Sequence, residues 1–211
     1  PLTIADFNKE KGTITIIFAE VGYTTKKLGC LNEGDMVLDF VGPLGHESEI
    51  DNFGHVVCIG GGVCVAPMYP ITRELHRSGN RVTSIIGARC KDLLFWEDEM
   101  RAVSHTLHVT TDDGSYGYSG PVTGLLDIFL AREEVDRAYA CGPKPMLREV
   151  VKLLARFSVP GEVSLEEHMG CGVGACLSCA CRVREAGGFS YRRVCADGPV
   201  FAAESVDWEE R

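Results

Sequence analysis

Apolar and polar positions change their spacing along the chain, and these changes divide it into three regions. In residues 1–51, the apolar and β-branched runs Thr13–Phe18 and Met36–Val41 are separated by the turn-rich segment Gly29–Asp35. Short runs bounded by turn residues predict strands of an antiparallel sheet or barrel. The chain opens at Pro1 without a methionine, and Pro1–Ile4 already has the pattern of a strand edge. We therefore expect an incomplete N-terminus and a barrel that lacks several strands.

Residues 52–160 alternate between short apolar runs and longer segments with helical spacing. The predicted strands are Val56–Ile59, Arg81–Gly87, Thr106–Thr110 and Arg137–Cys141, and the predicted helices are Pro67–Arg77, Phe95–Val103, Val122–Leu130 and Pro145–Phe157. The last of these helices has five apolar residues on one face, namely Met146, Val150, Leu153, Leu154 and Phe157. Strands that alternate with helices predict βαβ crossovers, and therefore a doubly wound parallel sheet.

Residues 161–211 are short strands and loops that contain five of the ten cysteines. Such a segment is too rich in loops to hold a large core by itself, so we expect a small domain that a metal site stabilises. The sequence thus predicts an α/β fold with additional β structure, in three domains at residues 1–51, 52–160 and 161–211.

Charge and composition exclude some classes of function. The net charge of −9 and the absence of any cluster of Lys and Arg argue against a nucleic-acid surface, because phosphate binding needs a basic stripe. No apolar run approaches the roughly 18 residues of a membrane helix, and no signal peptide opens the sequence. The other five cysteines are scattered and have no evident pairing. We therefore expect a cytoplasmic protein with buried thiols and one inorganic site.

The run Gly170–Cys181 (GCGVGACLSCAC) carries the strongest chemical signal in the sequence. Cys171, Cys176 and Cys179 are separated by four and then two residues, and Cys195 follows after fifteen more. This is the spacing of plant-type [2Fe–2S] sites, in which three thiolates from one tight loop and a fourth from a returning strand bind two irons. Glycines in the loop let the backbone wrap the cluster and direct N–H groups at its sulfurs.

The alternatives for these cysteines are a zinc site, disulfides or inert thiols. Structural zinc usually takes two close pairs of cysteines, whereas this loop offers three ligands with an unsuitable first gap. We expect Cys181 to point away on the outgoing strand rather than to bind metal. The spacing therefore favours the [2Fe–2S] site.

Three loops that follow predicted strands indicate a dinucleotide site. Gly60, Gly61 and Gly62 lie between a strand and a helix that begins near Ala66 and Pro67, where a pyrophosphate can approach backbone N–H groups. The motif is not G-x-G-x-x-G, and a tight strand-to-helix turn is the alternative. The other loops are Cys141–Met146 (CGPKPM) and Thr110–Gly117 (TTDDGSYG), of which the second includes Asp112. Carboxyl ends of parallel strands share one edge of the sheet, so these loops predict a crevice.

Two cations follow the strand that ends at Gly87. Arg89 and Lys91 are placed to meet the 2′-phosphate of NADPH, although such residues are more often solvated. The sequence leaves the choice between NADH and NADPH open.

With these features in place, the chain resembles the electron-transfer subunit of dihydroorotate dehydrogenase B. It is also similar to the small subunits of sulfide dehydrogenase and NADH-dependent ferredoxin:NADP oxidoreductase, within the ferredoxin–NADP reductase-like superfamily. The segments that carry the resemblance cover nearly the whole chain, namely PLTIAD, VGPLG, GGGVCVAP, TTDDGSYG, CGPKPM, SLEEHMGCGVGACLSC and VCADGPVF.

The resemblance implies FAD on the N-terminal barrel, NAD(P)H on the α/β domain and a [2Fe–2S] cluster at the C-terminus. The residues that match the flavin strand are Pro1, Leu2, Thr3 and Ile4, and those that match the FAD phosphate and ribityl loop are Gly22 and Thr25. The nicotinamide-dinucleotide loop is matched by Gly60, Gly61, Gly62, Ala66 and Pro67, and the segment beside the nicotinamide by Cys141, Gly142, Pro143 and Met146. A barrel without its first strands is expected to hold FAD poorly.

Two positions depart from the family pattern. Cys64 stands where the motif usually has another glycine, which adds a side chain near the pyrophosphate. Thr24 is typical of the sulfide dehydrogenase group, whereas the cysteine loop and CGPKPM are typical of the dihydroorotate group. The subfamily therefore stays open between the two.

The implied function is electron transfer between an FMN-containing catalytic subunit that oxidises dihydroorotate in pyrimidine biosynthesis and NAD⁺, by way of the cluster and FAD. No general acid or nucleophilic triad is required, and none is evident. The alternative in the same class is a subunit of a sulfide dehydrogenase or ferredoxin:NADP oxidoreductase, whose partner is a large glutamate-synthase-like iron–sulfur flavoprotein. A non-catalytic zinc module for assembly is the alternative from another class. The resemblance implies a hetero-oligomer and leaves the direction of electron flow open.

Overall fold

A computed structural model of the chain describes residues 2–208. Its strands are β1 (Ile4–Asn8), β2 (Thr13–Ile16), β3 (His55–Gly61), β4 (Arg81–Ala88), β5 (Thr106–Thr111), β6 (Tyr118–Ser119), β7 (Arg137–Cys141), β8 (Gly161–Ser164), β9 (Ala180–Glu185), β10 (Gly188–Arg193) and β11 (Val200–Ala202). Its helices are α1 (Tyr23–Gly29), α2 (Val65–Arg77), α3 (Glu97–Ala102), α4 (Val122–Leu130) and α5 (Lys144–Phe157), with 3₁₀ turns at Gly62–Cys64, Lys91–Leu93 and Ala203–Ser205. The strands and helices predicted between residues 52 and 160 are confirmed, most with ends shifted by one or two residues.

The main sheet has seven strands in the order β11-β8-β7-β3-β4-β5-β6. All neighbouring strands in it are parallel except β11, which pairs antiparallel with β8 at one edge. The chain runs outward from β3 through β4 to β6, then returns to the other side of β3 with β7. The strand order therefore reverses between β3 and β7, and this switch point is where open α/β sheets bind their ligands.

Helices cover both faces of this sheet because successive side chains of a buried parallel strand point to opposite sides. On β3, Val57 and Ile59 belong to the core under α4 and α5, whereas Val56 and Cys58 belong to the core under α2. The predicted apolar face of α5 is confirmed in part. Its fully buried residues are Leu147, Val150 and Leu154, while Met146, Leu153 and Phe157 are partly buried.

The C-terminal region contributes strands to the main sheet and buried side chains to its core. Strands β8 and β11 extend the sheet at one edge, and β9 and β10 form a separate antiparallel hairpin. Val194, Cys179 and Cys195 are buried in the same apolar cluster as Ile59 and Leu154. The cysteine loop therefore rests on the core of the α/β sheet, and a movement of one displaces side chains that pack against the other.

The N-terminal region forms one antiparallel pair, β1 with β2, followed by the short helix α1. It contacts α2 through an ion pair between Asp6 and Arg73 at 2.5 Å. The strand predicted at Met36–Val41 is wrong for the structure described, because the segment has no strand pairing there. Met36 is 90% and Leu38 95% exposed, so an apolar run alone does not make a strand without a neighbour to accept its backbone hydrogen bonds.

Within residues 2–208, none of the helices has the length and apolar character to cross a bilayer.

Candidate functional site

The glycine turn after β3 lies at the switch point of the sheet. It leads through the 3₁₀ turn Gly62–Cys64 into α2, whose first turn contains Ala66 and Pro67. Gly62 has φ +61°, a left-handed conformation that glycine adopts without steric cost. A Cβ on Gly60 would lie 3.1 Å from the Cα of Val65, so only glycine lets the turn pass this close to the start of the helix.

The loop after β7 meets this turn. A Cβ on Gly61 or on Gly142 would collide with the side chain of Met146, and the Cβ of residue 142 would be 3.7 Å from the Cα of Gly61. The two loops therefore approach each other backbone to backbone, under the methionine. Pro143 precedes α5, and a Cβ on Gly61 would lie 3.4 Å from its ring. The structure thus brings together two sets of predicted residues that are about eighty positions apart in sequence.

The third predicted loop lies farther along the same edge. Asp112 follows β5, which β4 separates from β3, and its N–H donates to the carbonyl of Ala88 at 3.1 Å. The side chain of Asp113 accepts hydrogen bonds from the N–H and hydroxyl of Ser115 at 2.9 and 2.6 Å. These bonds lower the pKa of the Asp113 carboxyl. Asp113 and Ser115 thus form a polar turn. Asp112, directly after the end of β5, lies at the edge of the sheet where the crevice forms.

A surface groove that the sequence did not reveal lies beside this loop. It has a volume of about 270 Å³ and is lined by Lys91, Leu94, Phe95, Glu97 and Tyr116. The ammonium of Lys91 lies 5.4 Å from the centre of the Tyr116 ring, and both Arg89 and Lys91 are exposed. A cation and aromatic rings at the end of the second parallel strand fit the adenosine half of a dinucleotide.

The four predicted cluster ligands form two pairs of thiols. Cys171 and Cys176 are exposed, and the N–H of Cys176 donates to the Sγ of Cys171 at 3.4 Å. Cys179 and Cys195 are buried, and the N–H of Cys195 donates to the Sγ of Cys179 at 3.5 Å. Among residues 2–208, no group of three or more His, Cys, Asp or Glu side chains is placed to hold one metal ion. Two pairs match the demand of a cluster in which each of two irons takes two protein ligands.

Backbone N–H groups of the loop point at these sulfurs. The Sγ of Cys171 accepts from the N–H groups of Val173, Ala175 and Cys176 at 3.4, 3.2 and 3.4 Å. These three donors lower the pKa of Cys171. The Sγ of Cys195 accepts from the N–H of Gly174 at 3.2 Å. Such donors favour thiolate and hence metal ligation, and they tune a bound cluster.

The hydroxyl of Ser178 and the pair Arg193–Asp197 support the loop, and the sequence analysis missed both. Ser178 Oγ lies 3.1 Å from the Sγ of Cys176, which lowers the pKa of that thiol to about 6. Arg193 donates to both carboxylate oxygens of Asp197 at 2.9 and 3.0 Å, and to the carbonyl of Gly174 at 3.1 Å. The sequence did contain a signal for the ion pair, because Arg193 and Asp197 lie two residues on either side of Cys195.

The fifth cysteine of this region is separate from the pairs. Cys181 lies on β9 and is 9% exposed, in the apolar cluster that also holds Val183. Burial raises its pKa to about 11, with a contribution from the Glu167 carboxylate. A protonated thiol in the core is consistent with the expectation that Cys181 is not a ligand.

The predicted FAD residues are partly described. Pro1 lies outside the described residues, while Leu2, Thr3 and Ile4 lead into β1. Gly22 is the N-cap residue directly before α1, and its N–H donates to the hydroxyl of Thr25 at 3.0 Å. Backbone N–H groups at a helix start, next to a hydroxyl, fit phosphate and ribityl oxygens in chemical type. Exposed apolar side chains nearby, such as Val21 and Tyr23, leave surface for a flavin to cover.

Comparison with family models supports two parts of this site. Residues 166–207 match the iron-sulfur cluster binding domain of dihydroorotate dehydrogenase B. Residues 58–152 match the oxidoreductase NAD-binding domain. The first match covers all four predicted cluster ligands, and it favours iron over zinc at the thiols.

Curated relatives cover the whole chain. The chain is 43% identical over 210 residues to the dihydroorotate dehydrogenase B (NAD(+)) electron transfer subunit homolog of Thermotoga maritima, which spans 100% of this chain and 73% of the relative. It is 42% identical over 211 residues to the electron transfer subunit of dihydroorotate dehydrogenase B (NAD(+)) of Bacillus caldolyticus, covering 98% of this chain and 79% of that protein.

Solved structures show the same fold. A chain from the structure of an NADH-dependent reduced ferredoxin-NADP oxidoreductase, studied for flavin-based electron bifurcation, superposes with a TM-score of 0.90 at 40% identity, covering 99% of this chain and 74% of that one. The cytochrome b5 reductase domain of Ulva prolifera nitrate reductase has a TM-score of 0.59 at 21% identity, covers 74% of this chain and 72% of its own, and shares the fold.

Proposed function

The chain belongs to the family of electron-transfer subunits of dihydroorotate dehydrogenase B, and from this membership we propose that it moves electrons between NAD(P)(H), FAD and a [2Fe–2S] cluster. It is therefore an oxidoreductase subunit that serves a separate catalytic subunit. The observation that carries the proposal is that the cysteine loop and the main sheet share one apolar core, called here the common core. Cys179 and Cys195 are buried in the same apolar cluster as β3 and β7, the two strands at whose ends the dinucleotide loops meet.

A common core matters because electron transfer depends on spacing and orientation, which the protein must supply for its cofactors. Packed side chains hold their neighbours in one arrangement, so the cluster loop and the crevice keep a fixed separation. Two domains joined by a flexible linker would lack this property.

We assign the dinucleotide to the switch-point crevice. Its pyrophosphate would face the N–H groups of the turn Gly60, Gly61 and Gly62. This turn leads into the first turn of α2, which contains Ala66 and Pro67. The nicotinamide would lie beside Cys141, Gly142, Pro143 and Met146. Asp112 and the groove of Lys91 and Tyr116 would border the adenosine half. Met146 covers the meeting point of the two loops, so we expect its flexible side chain to move when the ligand enters.

We assign the cluster to Cys171, Cys176, Cys179 and Cys195. The N–H groups of Val173, Ala175 and Gly174 donate to the sulfurs of Cys171 and Cys195, and these donors would stabilise negative charge on a bound cluster and raise its reduction potential. When bound, the cluster supplies single-electron transfer. FAD would contact Pro1, Leu2, Thr3, Ile4, Gly22 and Thr25. When bound, FAD converts between the two-electron chemistry of nicotinamide and single-electron transfer.

The partner would be an FMN-type catalytic subunit that oxidises dihydroorotate in pyrimidine biosynthesis. Around the cluster loop the protein exposes large apolar side chains, with Val173 61%, Leu177 63%, Phe189 54% and Tyr191 65% exposed. Apolar and aromatic groups beside a redox centre fit an interface through which a partner exchanges electrons at short distance.

A second candidate is the small subunit of a sulfide dehydrogenase or an NADH-dependent ferredoxin:NADP oxidoreductase. It is favoured by the TM-score of 0.90 over 99% of this chain with the ferredoxin-NADP oxidoreductase structure. Its partner would be a large glutamate-synthase-like iron–sulfur flavoprotein.

The first experiment tests electron entry. The full-length protein is purified without oxygen, FAD is added, and NADH or NADPH is mixed in a stopped-flow instrument. We expect the visible absorption of the flavin and of the oxidised cluster to bleach, because both accept electrons from the nicotinamide. An oxidised spectrum that persists with both nucleotides would overturn the proposal.

The second experiment separates the two partners. The same protein is combined with purified FMN-type dihydroorotate dehydrogenase subunit or with a glutamate-synthase-like flavoprotein, and complex formation is measured by size-exclusion chromatography. A complex that reduces NAD⁺ with dihydroorotate supports the first candidate. Binding to the other flavoprotein alone supports the second.

A further inference from the structure

An ion pair joins two elements to which the proposed function assigns different cofactors. Asp6 lies on β1, whose first residues would contact FAD, and Arg73 lies on α2, whose first turn would face the pyrophosphate of the dinucleotide. Within residues 2–208, β1 pairs with β2 in a sheet that is separate from the main sheet. The position of β1 on α2 therefore depends on contacts between side chains.

Arg73 contacts both elements and is itself held in place. Its Nη1 donates to the Oδ1 of Asp6 at 2.5 Å, and its Nε donates to the Oε1 of Glu74 at 3.1 Å. Its guanidinium carbon lies 5.3 Å from the centre of the Phe7 ring on β1 and 5.4 Å from that of the Tyr69 ring, one turn earlier on α2. Because two carboxylates and two rings surround this side chain, only 13% of it is exposed.

The acceptor on β1 is also held in place. The N–H of Phe7 donates to the same Oδ1 of Asp6 at 2.8 Å, so the carboxylate is fixed to the backbone of its own strand. On the other side of the ion pair, α2 is a rigid spacer. An α-helix rises 1.5 Å per residue, so Arg73 lies about 12 Å along the axis from Val65, the first residue of α2. The ion pair thus sets the distance from β1 to the glycine turn before the helix.

We propose that Arg73 is a positioning residue for electron transfer between nicotinamide and flavin, because it fixes the spacing and angle between β1 and α2. The inference rests on the proposed function, from which it takes the two cofactor assignments. In the step concerned, NAD(P)H gives a hydride with its two electrons to oxidised FAD, which leaves NAD(P)⁺ and FADH⁻. Reacting atoms must approach to about 3–3.5 Å, and a misplacement of about 1 Å costs about 100-fold in rate. Two elements that each carry one reactant therefore need a fixed contact.

The test compares variants of the full-length protein, purified without oxygen and loaded with FAD. Arg73→Ala removes the contacts with β1, and Asp6→Asn removes the charge of the acceptor but keeps the shape of its side chain. Arg77→Ala is the matched control, because Arg77 lies one turn later on α2 and bonds to Glu74 at 2.9 Å, but its side chain is 65% exposed.

Four quantities are measured in each variant. They are the rate constant of flavin reduction in a single turnover, the Kd for NADH and NADPH, the FAD content, and the intensity of the long-wavelength charge-transfer band. This band arises when a nicotinamide ring stacks on a flavin ring, so it reports their geometry independently of turnover.

In Arg73→Ala we expect the rate constant to fall about ten- to a hundredfold and the charge-transfer band to lose about half or more of its intensity. The FAD content and the Kd for the preferred nucleotide should stay within about twofold, because Arg73 contacts none of the residues assigned to the cofactors. Asp6→Asn should act in the same direction. The double variant should be no worse than Arg73→Ala, since both substitutions break one contact. Arg77→Ala should stay within about twofold in every quantity.

Three results would overturn the inference. The first is a rate constant and a band that do not change in Arg73→Ala. The second is an equal loss in Arg77→Ala, which would attribute the effect to the charge of α2. The third is loss of FAD from Arg73→Ala, since the residue would then stabilise the N-terminal region instead of positioning it. Failure of the proposed function is distinct, because the unsubstituted protein would then show neither flavin reduction nor the band.

Discussion

At the scale of single residues, cysteines close together in sequence differ in their surroundings. Cys179 and Cys181 are two positions apart, and both are largely buried. The Sγ of Cys179 accepts from the N–H of Cys195 at 3.5 Å, whereas the thiol of Cys181 has its pKa raised to about 11 by burial. Cys181 lies on β9, whereas Cys179 precedes that strand in the cysteine loop, so the loop conformation before β9 sets the two thiols apart.

Substitution of one thiol from each class tests the ligand set. Cys176→Ser should lose the cluster, because a serine hydroxyl is a poor ligand for iron in this site, and iron and acid-labile sulfide per chain should fall several-fold. Cys181→Ala is the matched control and should keep both near the level of the unsubstituted protein. The reverse pattern would place Cys181 in the cluster and remove Cys176.

At the scale of elements, the cluster loop depends on backbone conformations that few residues adopt. Gly174 has φ +83°, and a Cβ there would lie 2.9 Å from the Cβ of Ala196. The same residue donates to the Sγ of Cys195. Its conformation thus brings the exposed and buried halves of the loop together.

Gly174→Ala should therefore reduce cluster loading and lower the Tm of the holoprotein. The left-handed conformation alone costs about 1–2 kcal/mol for a residue with a Cβ, and the collision with Ala196 adds to it. Gly187→Ala is the control, because Gly187 has φ +99° in the turn between β9 and β10 with no atom within 4 Å of an added Cβ. It should show the conformational cost without loss of iron. Equal iron content in the two variants would contradict this role of Gly174.

At the scale of the whole molecule, one core connects the sheet to the cluster loop. Leu165 is 3% exposed in that core, and its N–H donates to the carbonyl of Pro199 at 2.9 Å. We expect Leu165→Ala to lower the free energy of unfolding by about 2–5 kcal/mol. The matched substitution Leu93→Ala, at a residue 47% exposed, should change it by less than about 0.5 kcal/mol.

The common core also predicts cooperative unfolding. Loss of cluster absorption and loss of far-UV circular dichroism should follow one urea transition in the unsubstituted protein, and both should shift together in Leu165→Ala. Two separate transitions would show that the cluster region and the sheet unfold independently.

Local patterns in the sequence determined much of the molecule. The alternation of strands and helices in residues 52–160 predicted the parallel sheet, and the spacing of Cys171, Cys176, Cys179 and Cys195 indicated two irons. These signals can be read because each depends on residues that are near in sequence, through helical or strand periodicity and loop geometry.

The tertiary structure decided what depends on residues far apart in sequence. It set the close approach of Gly61 and Gly142 under Met146, and the packing of the cluster loop on the sheet. It also left Met36–Val41 without a strand, although the apolar pattern predicted one. A strand needs a neighbouring strand with which to pair, and a core needs a second apolar face against which to pack. Neither can be read from the sequence of the segment itself.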